Sequence, residues 1–259
     1  MIDVNKINYS IDGIQILNNL SFKFKKGKFY GILGPNGSGK TTFLDILSGY
    51  KDALESEIYI ENKELKEYSY LKLAKKIAIV PQKFDIVFPF LVSDILEMGR
   101  YPYKKKFFNL QKKDYEIIDN VIKEIGLEEF LNKEITALSG GEEQRVIFGK
   151  ALIQTTPILF LDESTSNLDP YYSHTLLSLV KKRVVKEETT VIGVFHDFNL
   201  ASLYCDEILL LEKGRIVASG KTQEVLNSKK LEEVFKIGWE KYKTEKNTFV
   251  FPKLGGDLE

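Results

Sequence analysis

The chain has 259 residues with 37 basic and 37 acidic side chains, so no net charge recruits nucleic acid or an acidic surface. Its 43% hydrophobic and 29% charged content is that of an ordinary globular protein, and its length predicts one large α/β core with a smaller appended lobe. The longest apolar stretches, such as Ile77 to Val80 and Ile158 to Leu161, are strand-sized; a bilayer span needs about 18 residues or more, which excludes a membrane channel.

Near the N-terminus Leu20, Phe22 and Phe24 alternate with Ser21, Lys23 and Lys25, the pattern of half-exposed strands in an antiparallel sheet. Asp12-Gly13 marks a turn between two of them. Phe29 to Leu33 reads as a short apolar strand that turns through Gly34 to Gly39 into a helix from Lys40 to Ser48, stopped by Gly49. Apolar strands recur at Ile77 to Val80, Ile158 to Leu161, Thr190 to Phe195 and Ile208 to Leu211, mostly separated by helical stretches. That spacing predicts a mostly parallel central sheet.

Between Pro81 and Pro157 no strand pattern is present, whereas Val92 to Met98, Asp114 to Ile125 and Gly141 to Ile153 carry helical periodicity. Residues 83–155 are therefore read as a helical lobe inserted within one domain spanning 1–259. A C-terminal extension, 220–257, holds a helix around Leu231 to Phe235, then Trp239 to Thr244 and Thr248 to Phe251 as a hairpin about a polar turn. Cys205 follows Leu203 and Tyr204 in an apolar pattern and is expected as a small buried hydrophobe. A lone cysteine, with a first decapeptide lacking the order of a signal peptide, predicts a cytoplasmic protein. Leu258 and Glu259 fit an expression scar and are left out of the reading.

Gly34-Pro35-Asn36-Gly37-Ser38-Gly39-Lys40-Thr41 matches the P-loop pattern between a strand and a helix, with Thr42 next in the helix. Its backbone N–H groups and the helix N-terminus favour a triphosphate. Lys40 is expected to reach the β and γ phosphates, and the Thr41 hydroxyl to coordinate Mg²⁺. The strand from Ile158 ends in Asp162 and Glu163, at the sheet edge where open α/β sheets bind ligands. Downstream of a P-loop, Asp162 suits Mg²⁺ and Glu163 suits the attacking water; the bland reading of such a pair is a solvated strand end. His196 ends another strand, where it either donates to the γ phosphate or is merely structural; His174 is expected at the surface.

Leu138-Ser139-Gly140-Gly141-Glu142-Glu143-Gln144-Arg145 sets a Ser-Gly-Gly turn before a helix. Two readings stand: a second phosphate cradle, or a capping box of Ser139 with Glu142. Here the chain resembles the ATPase component of ABC transporters, whose motifs occur in order along nearly the whole sequence. They are the P-loop at 34–41, Gln82 after a strand, the signature at 138–142, ILFLDE at 158–163, Ser166-Asn167-Leu168-Asp169, and His196. The resemblance implies a P-loop NTPase core of mostly parallel sheet, an N-terminal antiparallel β subdomain and the inserted helical lobe.

It further implies that two copies bind head to tail with two ATP molecules sandwiched between the P-loop of one and the signature of the other. Ser139, Gly140, Gly141 and Glu142 would then act in trans, with Glu142 standing where Gln is more frequent. Gln82 would contact Mg²⁺ and the attacking water, Asp169 would lie at the dimer seam, and Tyr9 would stack on adenine unless it is a strand tyrosine packed on the sheet. The segment Val92 to Tyr103, with MGRYPY, and His196-Asp197-Phe198-Asn199-Leu200-Ala201 resemble ATPases that import iron-siderophores, haem and cobalamin. Membrane permease subunits, an extracytoplasmic binding protein and a place on the inner face of the cell membrane follow from that resemblance. A soluble ABC ATPase of an assembly system, such as iron–sulfur cluster biogenesis, is the alternative. Phe84, Phe88, Pro89 and Phe90 are either a docking patch for a membrane subunit or a satellite core. Lys104 to Lys106, Lys112 and Lys113 are read as a solvated face.

Overall fold

The computed structural model describes residues 1–53, 56–82, 84, 86–104 and 109–253. Lys105, Lys106, Leu258 and Glu259 lie outside the described residues. The chain forms two compact units, one of residues 1–67 with 190–259 and the other of residues 68–189.

The first unit opens with β1 (Ile2–Ile11) and β2 (Ile14–Phe24), antiparallel about the Asp12-Gly13 turn. Leu17, Leu20 and Phe24 are buried and Ser21 and Lys23 exposed, as the alternation predicts. Then come β3 (Phe29–Leu33), buried throughout, and α1 (Lys40–Leu47). Gly49, in the left-handed region, donates its N–H to Ile46 O (3.1 Å), so glycine closes this helix. β4 (Glu57–Ile60) pairs antiparallel with β1, and β5 (Lys63–Glu64) with β4, completing the sheet β2-β1-β4-β5.

The second unit begins with α2 (Tyr70–Ala74) and β6 (Ile77–Val80), followed by α3 (Val92–Glu97), α4 (Lys112–Ile125) and α5 (Gly140–Ile153). β7 (Ile158–Asp162) returns parallel to β6, and α6 (Pro170–Glu187) ends the unit. The lobe is tied internally by Arg100, which is buried with Asp114 at the first turn of α4 (Nη2 to Oδ1, 2.8 Å). Its Nη1 also donates to Ile153 O (3.1 Å) and Thr155 Oγ1 (2.8 Å), and its plane lies 4.0 Å from the Tyr103 ring centroid.

The chain re-enters the first unit with β8 (Thr190–Val194), parallel to β3, then α7 (Phe198–Tyr204) and β9 (Glu207–Glu212), parallel to β3 on its other side. β10 (Arg215–Lys221) pairs antiparallel with β9, so the parallel ladder ends on an antiparallel edge. α8 (Thr222–Asn227) and α9 (Lys229–Phe235) lead to the predicted hairpin, β11 (Trp239–Lys243) against β12 (Thr248–Pro252). The pairings β3–β8, β3–β9 and β6–β7 are parallel and β9–β10 is antiparallel, which gives the expected mostly parallel α/β architecture with a separate antiparallel β subdomain. Cys205 is buried where its Sγ would lie 2.9 Å from a Cβ at Gly31 of β3. Among the described residues no helix is long and apolar enough to cross a membrane.

Candidate nucleotide site

In the first unit the P-loop runs from the end of β3 into α1. Gly34 has φ +155°, and a Cβ there would sit 2.3 Å from Leu211 O and 2.7 Å from Ser38 Oγ, so only glycine lets the loop lie this close to β9. Gly39, φ +97°, caps α1 without a side chain and abuts Leu17, whose Cδ2 would be 2.6 Å from an added Cβ. Lys40 is 5% exposed and its Nζ donates to Gly34 O (2.8 Å) and Pro35 O (3.1 Å), folding back over the loop. Asn36 and Gly37 are exposed at its tip, while Thr41 and Thr42 are half-buried in the first turn of the helix.

Ser38 Oγ is buried with no hydrogen-bond partner, although a buried hydroxyl ordinarily has one. A buried orphan hydroxyl beside a buried ammonium and an uncapped helix start fits a phosphate ligand. His196 is exposed two positions beyond β8, and β8 runs parallel to β3 with Ile32 opposite Val194. His196 and the P-loop therefore leave adjacent strands at the same carboxyl edge. Tyr9 is half-buried opposite Leu17, the residue against Gly39, which sets it one side chain away from the loop.

In the second unit Asp162 ends β7 and is 8% exposed. Glu163, next in sequence, has φ +46°, a left-handed conformation that costs a side-chain-bearing residue on the order of 1–3 kcal/mol. Ser166 holds that turn, its N–H and hydroxyl both donating to Glu163 O (3.1 and 2.9 Å). The Gln82 side-chain amide donates to the Glu163 carboxylate. Asp162 carboxylate and Thr41 hydroxyl are hard oxygen donors, the chemistry that suits Mg²⁺.

Ser139 caps α5, and the capping box forms: Glu142 N donates to Ser139 Oγ (3.4 Å), while Ser139 N and Oγ donate to the Glu142 carboxylate (2.8 and 2.7 Å). Those bonds from the Ser139 hydroxyl and N–H hold the Glu142 carboxyl below the usual carboxylate range. Ser139 and Gly140 are exposed, and a Cβ at Gly141 would be 3.5 Å from Asn167 O, so the signature turn lies against the loop leading to Asp169. Asp169, also exposed, caps α6 by accepting from Tyr172 N (3.0 Å). Arg145 of α5 stacks 3.9 Å from the Tyr172 ring centroid, a link between these two turns that sequence reasoning did not include.

The aromatic segment divides. Phe84 is half-buried beneath Lys150, whose Nζ is 5.0 Å from its ring and whose pKa is lowered by burial. Phe88 and Phe90, with centroids 6.1 Å apart, are 70% and 41% exposed. His174 is exposed, as expected.

A family profile described as ABC transporter matches residues 17–166. The chain is 39% identical over 222 residues to an uncharacterised ABC transporter ATP-binding protein, YvrA, of Bacillus subtilis, covering 85% of this chain and about half the length of that relative. It is 36% identical over 237 residues to the hemin import ATP-binding protein HmuV of Escherichia coli O157:H7, covering 89% of this chain and 90% of HmuV. The petrobactin import ATP-binding protein YclP of Bacillus subtilis is 34% identical, with 91% and 92% covered. Among solved structures, a bacterial ABC transporter cassette solved as a dimer superposes with TM-score 0.78 at 28% identity, covering 86% of this chain and 99% of that one. A structure described as an inward-facing, metal-chelate type ABC transporter reaches 0.81 at 26% identity, with 98% and 97% covered.

Proposed function

Because this chain belongs to the ABC transporter family, as one of its ATP-hydrolysing subunits, we propose that it works in pairs to power uptake of a metal chelate through separate permease subunits. The observation that carries hydrolysis is the Glu163 carboxylate, buttressed by the Gln82 amide and set in a strained turn at a strand end. So held, Glu163 orients or deprotonates the water that attacks the γ phosphorus, and Gln82 keeps that carboxylate and the water in line. Lys40, the Ser38 hydroxyl and the backbone N–H groups of the loop bind the phosphates, which stabilises charge as it develops. His196, beyond the strand next to the P-loop, donates to the γ phosphate, and Tyr9 stacks on adenine. Thr41 and Asp162, with Gln82, would hold Mg²⁺, which neutralises the β and γ oxygens when bound.

Pairing is supported by the signature turn, where Ser139 and Gly140 are exposed and Gly141 and Glu142 half-buried, and by the Asp169 turn packed beside it. A second copy, head to tail, brings its own γ phosphate to that turn. Similarity to HmuV and YclP, and to the cobalamin import ATP-binding protein BtuD of Halobacterium salinarum, supports a haem, siderophore or cobalamin type of substrate, delivered by an extracytoplasmic binding protein to the permease. The chain then sits on the cytoplasmic face of the cell membrane, with residues 83–155 as its helical lobe and no nucleic acid partner.

The test is Glu163→Gln, which keeps shape and hydrogen bonding but removes the base, so bound ATP persists. Light scattering with ATP is expected to give a mass near twice 29.7 kDa, absent with ADP and lost on adding Ser139→Arg. A Glu163→Gln variant that binds ATP yet stays monomeric overturns the paired mechanism for the isolated subunit.

A further inference from the structure

The helix that follows His196 is held from outside by the C-terminal hairpin. Asn199 of α7 bonds both main-chain groups of Val250 on β12: its Oδ1 accepts from Val250 N (2.9 Å) and its Nδ2 donates to Val250 O (3.3 Å). One turn on, Ser202 Oγ accepts from Thr248 N (3.1 Å). Side chains of α7 thus take the place of a neighbouring strand along the edge of β12 that β11 leaves open. Phe198, two residues past His196, meets Phe235 and Trp239 edge to face, each centroid 4.9 Å away.

The hairpin is itself anchored. Asn227 of α8 donates to Thr248 Oγ1 (2.9 Å), and Lys241 pairs with Glu232 of α9 (3.2 Å). On the opposite side of the His196 turn, Phe195 N donates to Ile32 O (3.1 Å), two residues before Gly34 of the P-loop. Asp197 caps α7 by accepting from Asn199 N (2.7 Å) and Leu200 N (3.0 Å). The turn carrying His196 is therefore held at one end by β3 and at the other by α7 and what grips it.

We propose that the C-terminal hairpin sets the position of His196 at the γ phosphate, with Asn199, Ser202 and Trp239 as positioning residues for hydrolysis. The proposal rests on the reading of His196 given above. Asn199 itself touches neither nucleotide nor water; it acts through the helix. Since a displacement of about 1 Å at a reacting group can cost up to about 10²-fold in rate, loss of a two-bond clamp is read as a change in kcat and not in binding.

The experiment measures steady-state kcat, KM for ATP and affinity for the fluorescent analogue TNP-ATP in full-length Asn199→Ala, His196→Ala and the double variant. All are assayed well below their melting temperatures. The expected result is a kcat lowered about tenfold by Asn199→Ala, affinity unchanged within about twofold, and no further loss when Asn199→Ala is added to His196→Ala. Ser202→Ala, which removes only the Thr248 contact, is expected to lower kcat about threefold and serves if Asn199→Ala does not fold. Wild-type kcat in the clamp variants, or losses that multiply with that of His196→Ala, overturns the proposal while leaving the role of His196 intact. Wild-type kcat in His196→Ala overturns that role, and the clamp falls with it.

Discussion

Gln82 and Glu163 stand 81 residues apart, yet each lies two positions past a register pair of parallel strands, Val80 opposite Leu161, and the amide of one donates to the carboxylate of the other. Equal offsets from paired residues bring the two side chains to one edge at one level. Replacing Gln82 with Ala removes the orienting partner without touching the phosphate loop. The expected result is a kcat lowered by about 10- to 100-fold with KM for ATP little changed. A raised KM at constant kcat assigns Gln82 to binding instead.

Lys40 is the buried cation of the P-loop, held by the carbonyls of Gly34 and Pro35. In a site where charge stabilisation supplies most of the acceleration, Lys40→Ala is expected to lower ATPase activity by at least about 10²-fold. Phosphate release measured at saturating ATP checks this, and full turnover sinks the phosphate-site assignment.

Phe88 is the most exposed ring of its segment, whereas Phe84 lies half-buried beneath Lys150. Phe88→Glu is therefore expected to fold and bind nucleotide as the wild type does, yet to co-purify less with the permease. Equal retention of the permease by both proteins removes Phe88 from the docking surface.

Arg100 and Asp114 form a buried pair whose loss strands a charge. Arg100→Met is expected to destabilise the lobe by about 3–5 kcal/mol, read as a lower denaturation midpoint. Burial pushes the Asp114 carboxyl up, but the Gln111 N–H and the Arg100 guanidinium together outweigh it and hold the group below its usual value. A depressed folded pKa contributes stability that is present above the unfolded value, about 3.9, and is lost as pH falls through the folded one. Denaturation of wild type and Asp114→Asn from pH 7 downward should show their difference constant to about pH 5 and shrinking below pH 4. A difference independent of pH removes the ionised carboxylate from the account.

Contiguous motifs were legible before any fold was known. The P-loop, the Ser139–Glu142 capping box, the acids after Ile158 to Leu161 and the C-terminal hairpin are each local, so backbone geometry and periodicity over a few residues suffice to mark them. The resemblance added what no local pattern contains, namely the expectation that these turns serve one nucleotide site. The antiparallel edge strand β10 went unread because Arg215 to Lys221 carries little apolar alternation.

What the tertiary structure alone decided is every contact made across a long stretch of chain. The sequence determined the residue types at each strand end; parallel register decided that Gln82 meets Glu163 and that His196 leaves the sheet beside the P-loop. It determined three clustered aromatics after Gln82; packing decided that Phe84 lies under Lys150 while Phe88 and Phe90 face outward. The strained backbone of Glu163 and the grip of Val250 on Asn199 carry no local signature, because each is imposed by neighbours distant in sequence and costs or contributes energy only once they are assembled.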